Sequence, residues 1–234
     1  ARAAAVGVPL LREGRELSVT LRARSLDGQR LDLAGPGWRD DDVAIRLLGA
    51  YQPGNALLAA AAARVLGAGG AAIRRGLARA RWPGRFDVRR RAGGGWLVLD
   101  GAHNPAGARA LAHSLATYFG DAATTFVLGV LRDKDAAGIL APLLARARRL
   151  VLTASGNPRS ASPADLRALV PASVPVSVAP SVAEALALAE GEQTTPILCV
   201  AGSLSVVGDA LRTGPEGDKP CPVENTADSM EPLL

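Results

Sequence analysis

Apolar positions change their period partway along this 234-residue chain. From Leu17 to Ser25 they alternate: Leu17, Val19, Leu21 and Ala23 interleave with Ser18, Thr20, Arg22 and Arg24, the pattern of a half-buried strand. Asp27-Gly28 is a two-residue hairpin signal, and Leu31 and Leu33 carry the alternation onto a return strand. Val43 to Leu48 supplies a third strand. After the loop 49–54, Asn55 reads as the N-cap of an alanine-rich helix ending near Gly67, and Ala71 to Ala80 supplies another. Trp82-Pro83-Gly84-Arg85 then interrupts the chain, a rigid break of the kind that joins domains, with Trp82 expected as a packing anchor.

Beyond the break, strands and helices take turns. Strands are predicted at 86–90, 96–99, 125–130, 150–153, 174–178 and 197–200. Helices are predicted from Asn104-Pro105 to Phe119, over 136–148, from the cap Ser162-Pro163, over 181–190 and over 204–212. Unbroken apolar strands alternating with helices predict an α/β fold with a parallel, doubly wound sheet covered on both faces. Residues 214–234 are polar and acidic and are expected to be a disordered tail.

The strand Trp96-Leu97-Val98-Leu99 ends in Asp100-Gly101-Ala102-His103-Asn104-Pro105. In open α/β sheets ligands bind outside the carboxyl ends of the strands, so an acid and an imidazole there are candidates for contact with a nucleotide or a reacting group. Taken alone, Asp-x-x-His is better explained by a turn cap beside an incidental imidazole. The loops 129–135, 154–160 and 201–203 fall on the same sheet edge, where Lys134 reads equally as a solvated charge and Ser203 as a helix cap. Arg85 is the one group near the break able to hold a phosphate bidentately; alone it reads as a surface arginine.

Composition narrows the classes. No apolar run approaches the roughly 20 residues of a membrane span. The start carries no signal peptide, and Cys199 and Cys221 make no disulfide framework, which points to the cytoplasm. The overall charge is +5; residues 215–234 hold five acids against Lys219, so that tail is −4 and the remainder +9. The surplus is nearly all arginine, and aromatics are 3%, too few for base-stacking platforms, so nucleic acid is disfavoured as a partner.

Taken together and in order, the motifs resemble a family. Trp82-Pro-Gly-Arg85 followed by Asp100-Gly-Ala-His-Asn-Pro105 is similar to folylpolyglutamate synthase, often bifunctional as dihydrofolate synthase, within the Mur ligase superfamily. Tyr51-Gln52-Pro-Gly-Asn55, Gly129-Val-Leu-Arg-Asp-Lys134-Asp135, Asn157-Pro-Arg159-Ser160 and Gly202-Ser203-Leu204 extend the resemblance from Leu17 to Arg212. It implies a carboxyl-terminal Rossmann-like domain over 86–213, a linker at 81–85, and in 1–80 the α/β end of a truncated ATPase domain. It also implies ATP in the cleft between them, with Asn55 at the adenine, Arg85 at the phosphates and Asp100 at the ribose. His103 would stand beside the nucleotide and the acyl-transfer site, which with Arg85 makes it the catalytic candidate, and Ser203 would help bind the incoming glutamate. The family's loop has His where this chain has Tyr51, a swap that removes one donor.

The activity so implied is ATP-dependent, Mg²⁺-assisted addition of L-glutamate to folate, or of glutamate to dihydropteroate, through an acyl phosphate, by a monomer. A P-loop needs a Gly-rich turn with Lys and Ser/Thr, and the chain contains no Gly-Lys pair. The metal ligands and P-loop are therefore expected upstream of Ala1, and the fragment alone is expected to be inactive. Two alternatives stay open: a peptidoglycan-precursor ligase of the same superfamily, and a non-catalytic Rossmann-like binding domain.

Overall fold

The computed structural model describes residues 2–191 and 195–213; the acidic tail lies outside them. A single helical turn, α1 (Arg2–Ala5), precedes a three-stranded antiparallel sheet of β1 (Ser18–Ser25), β2 (Gly28–Gly35) and β3 (Trp38–Ile45), in that order. The first hairpin turns one residue earlier than the Asp27-Gly28 dipeptide suggests: Ser25 pairs with Gly28, so Leu26-Asp27 form the two-residue loop and Gly28 opens β2. Leu17, Leu31, Leu33, Val43 and Ile45 meet Ala56, Leu57, Ala60 and Ala61 of α2 (Gln52–Val65) and Ile73 of α3 (Gly70–Arg79) in one core.

Four further expectations are corrected in this part of the chain. β1 is exposed along almost its whole length, with Leu21 38% exposed, because a bulge at Arg22 breaks the alternation at the sheet's edge. β3 starts five residues earlier than its apolar residues suggest. Pro36-Gly37 makes a second tight turn, and the strand carries Asp40, Asp41 and Asp42. Buried Asp40 is neutralised by Arg64 and Arg74, and buried Asp32 by Arg22 and Arg39. α2 begins at Gln52, not Asn55, since Pro53 fits the first helical turn. Trp82 is 61% exposed and anchors nothing.

The second sheet has six strands in the order β4-β5-β9-β6-β7-β8. These are β4 (Asp87–Arg90), β5 (Trp96–Leu99), β6 (Thr124–Leu128), β7 (Ala147–Leu152), β8 (Val176–Val178) and β9 (Ile197–Ala201). β4 is antiparallel to β5, and every other pairing is parallel. α4 (Pro105–Phe119), α5 (Ala136–Leu144) and α6 (Pro163–Arg167) bury Leu111, Leu115, Ile139, Leu140, Leu143 and Leu166 on one face. α7 (Val182–Gly191) and α8 (Leu204–Thr213) bury Val182, Ala185, Val206 and Val207 on the other. The mostly parallel, doubly wound α/β fold is thus present. α5 stops at Leu144 rather than Arg148, and β7 takes up the chain at Ala147 to pair with Thr124. Arg148 and Arg149 hid that strand start, although Arg149 bonds across to Ser177 of β8.

Strand β9 is last in sequence yet sits between β5 and β6, so the winding reverses there. The carboxyl ends of β5, β9 and β6 form a crevice of the kind in which such sheets bind ligands. Gly129 and Gly202 bring the backbone together at its floor: Gly202 has φ +101, and a Cβ on it would lie 2.5 Å from the Gly129 carbonyl oxygen.

Candidate functional site

The linker Pro83–Phe86 is clasped onto the end of β5. Gly101 N donates to the Gly84 carbonyl at 2.8 Å, and Phe86 N donates to Asp100 Oδ2 at 2.9 Å. A side chain on Gly84 would be strained at φ +77 and meet Val207 at 2.7 Å, and one on Gly101 would displace the half-exposed Leu204 side chain, 2.2 Å away. Phe86, fully buried, is held at φ +48, a left-handed conformation that costs a non-glycine residue about 1 kcal/mol or more. Its ring packs 5.4 Å from that of Tyr118, and this anchoring keeps it there. Arg85, between two fixed neighbours, projects from a fixed point and lies over Trp82, 5.8 Å from its ring centre.

Asp100 is buried and accepts three hydrogen bonds: from Phe86 N, from Ala102 N at 2.8 Å and from the Tyr51 hydroxyl at 3.3 Å. Burial raises its pKa above the ordinary carboxylate value, against the opposing pull of the two N–H donors and the Arg85 charge. Burial, and then the Asp100 charge, push the Tyr51 phenol up as well. The Tyr51 hydroxyl is directed at Asp100. That contact links residues 49 apart, and no local pattern announces it. Two more bonds from α4 hold the same loop, Ala50 N to Ser114 Oγ at 3.0 Å and Gly49 N to the Tyr118 hydroxyl at 3.4 Å.

Asn55 sits in the first turn of α2, one Nδ2 hydrogen donated to Gln52 Oε1 at 3.1 Å. Its carbonyl and second amide hydrogen remain available. Asn55 and Arg85 line one cleft of about 580 Å³, walled by Ile45, Leu47, Ala56, Leu77 and Ala80, with Tyr51 at its side. Asp100 stands one hydrogen bond behind Tyr51. His103 and Ser203 do not line this cleft. His103 Nδ1 is 2.8 Å from the Gly101 carbonyl, which only accepts, so Nδ1 carries a proton.

Ser203 is a helix cap: its Oγ accepts from Val206 N at 3.1 Å in the first turn of α8. It also belongs to a chain of hydroxyls that its Gly-Ser-Leu motif alone does not disclose. Ser203 meets Ser205 at 3.0 Å, Ser205 meets Ser155 at 3.1 Å, and Ser155 meets Ser160 at 2.8 Å. The chain ties the loops after β7 and β9 together. Ser203→Ala should cost about 1–2 kcal/mol in a denaturant titration, from the lost cap and its buried partner; an unchanged midpoint would contradict the capping role. Among the described residues no three His, Cys, Asp or Glu side chains converge as metal ligands, so these residues do not by themselves fit a Mg²⁺ site.

Residues 84–204 match the model of the Mur ligase glutamate ligase domain. The chain is 38% identical over 192 residues to the dihydrofolate synthase/folylpolyglutamate synthase of Mycobacterium tuberculosis, an alignment that takes in 79% of this chain and 35% of that protein. It is 34% identical over 146 residues to the UDP-N-acetylmuramoyl-L-alanyl-D-glutamate–2,6-diaminopimelate ligase of Corynebacterium glutamicum, covering 62% of this chain and 28% of that enzyme. Among solved structures, Mycobacterium tuberculosis folylpolyglutamate synthase complexed with ADP and AMPPCP superposes with a TM-score of 0.81 at 31% identity, over 92% of this chain and 51% of that one. The chain thus spans between about a quarter and a half of the length of these relatives.

Proposed function

The chain belongs to the Mur ligase family through its glutamate ligase domain, and on that premise we propose that it is part of an ATP-dependent ligase adding glutamate to a folate substrate. In this reading 1–80 end the ATP-binding domain, 81–85 join it to the ligase domain, and 86–213 form the latter. ATP supplies the phosphoryl group that makes the folate carboxylate an acyl phosphate, from which the glutamate amine displaces phosphate. The cleft shared by Asn55 and Arg85 carries the proposal. Its apolar walls suit a flat base, the free edge of the Asn55 amide offers a donor and an acceptor to that base, and Arg85 offers a fork to phosphate oxygens. Tyr51, held by Asp100 behind it, orders the wall between them, and the ribose role that the resemblance gives Asp100 is exerted through Tyr51. His103, at the neighbouring strand end, stands toward the acyl-transfer chemistry, and Ser203 at the glutamate end.

Calorimetric titration of the 234-residue chain with ADP tests the cleft. Asn55→Ala should weaken binding about tenfold, the worth of one or two hydrogen bonds. Equal affinity of variant and wild type, or no binding to either, would refute the assignment. The chain alone should show no ATP turnover with folate and glutamate, because no Gly-Lys turn is present to hold a triphosphate. The diaminopimelate-adding relative supports a second reading, in which the acceptor is a muramyl nucleotide. The folate relative aligns over more of this chain, 79% against 62%, which favours folate. Assaying the complete enzyme with dihydropteroate, reduced folates and muramyl peptides separates the two.

A further inference from the structure

A side-chain amide reads a base ambiguously, because it carries a donor and an acceptor and exchanging the two changes what it matches. Asn55 lines the cleft it shares with Arg85 from an exposed position on α2. The terminal torsion of such an asparagine is soft, so alone it would present either arrangement. Its neighbour removes the ambiguity. Gln52 is 5% exposed, lines the same cleft, and accepts at Oε1 one of the two Nδ2 hydrogens of Asn55, at 3.1 Å. The backbone under both is fixed: Gln52 N donates to the Gly49 carbonyl at 3.1 Å and Asn55 N to the Tyr51 carbonyl at 3.3 Å. Gln52 is the first residue of α2, and the amino end of a helix favours a carbonyl oxygen over an amide nitrogen. The acceptor therefore belongs on Gln52 and the donor on Asn55. Gln52 Nε2 makes no hydrogen bond among the described residues, so Asn55 is the one side chain to which this buried amide is tied.

With Nδ2 held toward Gln52, Asn55 keeps Oδ1 and one Nδ2 hydrogen for a ligand. That pattern matches a 6-aminopurine, whose amino group donates beside a ring nitrogen that accepts. Turned over, the same amide would match a 6-oxopurine equally well, since there the oxygen accepts and the adjacent ring N–H donates. Turning it over, however, sets Asn55 Oδ1 against Gln52 Oε1, two acceptors with no proton between them. We propose that Gln52 is a specificity-determining residue, which selects a 6-amino over a 6-oxo purine by fixing the orientation of the Asn55 amide. The selection rests on the nucleotide reading of this cleft and decides which base is taken there. Gln52 acts through Asn55, as a positioning residue.

Calorimetric titration of the 234-residue chain with ADP and with inosine diphosphate, which differs only at the 6-position and the adjoining ring nitrogen, is the test. The wild type should bind ADP about tenfold more tightly, the worth of one well-paired hydrogen bond. Gln52→Met, close in volume but with only a weak acceptor, should bring the ratio to about threefold or less. Gln52→Glu, whose carboxylate can only accept, should keep it in full. Leu58→Ala, on the exposed side of α2, should leave it unchanged. In an Asn55→Ala background, Gln52→Met should alter the ratio no further. Lost packing would weaken both nucleotides together and leave their ratio alone, so the ratio separates positioning from a purely structural role. A ratio that Gln52→Met leaves at the wild-type value, or a wild type that binds both nucleotides equally, overturns the proposal while the cleft reading stands. Binding of neither nucleotide to the wild type sinks the cleft reading, and this selection with it.

Discussion

Replacing Arg85 by alanine in the complete ligase is expected to lower kcat by about 10²–10³, some 3–4 kcal/mol of transition-state stabilisation. The expectation follows from how the residue is held. Its neighbours are fixed by hydrogen bonds to Gly101 and Asp100, and Phe86 is kept in a left-handed conformation. A guanidinium on such a mount need not be reorganised as charge shifts between phosphoryl oxygens, and preorganised charge is what lowers a barrier. The effect should fall on kcat more than on KM, because the interaction strengthens as the reaction proceeds. Arg85→Lys should recover only part, since an ammonium lacks the fork. Steady-state kinetics with ATP varied at saturating folate and glutamate decide it: an Arg85→Ala enzyme within a few-fold of wild-type kcat would remove Arg85 from the chemistry.

Asp100→Ala should act first on stability. It strips the acceptor from Phe86 N and Ala102 N, both inside the protein, and frees the Tyr51 hydroxyl. Buried groups left without partners cost about 1–3 kcal/mol each, and water entering the space returns some of it, so a net loss of about 2–4 kcal/mol is expected. For a chain of this size that lowers the melting midpoint by roughly 5–15 °C. The dependence on pH has a definite sign. Burial holds the Asp100 pKa above its unfolded value, so the charged form carries a penalty that is present above the folded pKa. As pH falls through that pKa toward the unfolded value the penalty is relieved, and the gap between wild type and Asp100→Ala should widen. Thermal denaturation at neutral and mildly acid pH measures both; a gap that narrows on acidification would reverse the assignment.

How much of this was legible beforehand varies with the range of the interactions. Strands β5, β6 and β9 stand out as apolar runs because both faces are covered. Asn104-Pro105 marks the start of α4 because a cap and a first-turn proline are local chemistry, and Asn104 does accept from Gly107 N at 2.8 Å. β3 was misplaced because its acids are neutralised by arginines from β2 and from two helices, partners that periodicity does not display. Trp82 was misread because an aromatic ring beside a break suggests burial, whereas here it lies open under Arg85. At the site, Asn55 and Arg85 line one cleft although they are 30 residues apart. The Tyr51–Asp100 bond and the serine chain depend on contacts across the fold, and nothing in their immediate neighbours encodes them.

The attachments of the 49–51 loop and of the linker have a mechanical consequence. Gly49, Ala50 and Tyr51 are tied to Tyr118, Ser114 and Asp100, while Gly84 and Phe86 are tied to the end of β5. The one chain crossing between the two sheets, at the linker, and the 49–51 loop are thus pinned at one place, which acts as a fulcrum. Helix α2 leaves that fulcrum as a lever arm of 14 residues, about 20 Å long, with Asn55 only a turn from the pivot. A swing of about 10° would carry its far end some 3–4 Å but displace Asn55 by only about 1 Å. Arg85, fixed to the sheet, would not move at all. The spacing between the two groups proposed to grip the nucleotide is therefore nearly independent of how far the lobes open. In such a swing the wall at Leu77, on α3, and at Ala80, its C-cap, would shift while the two contact points kept their spacing.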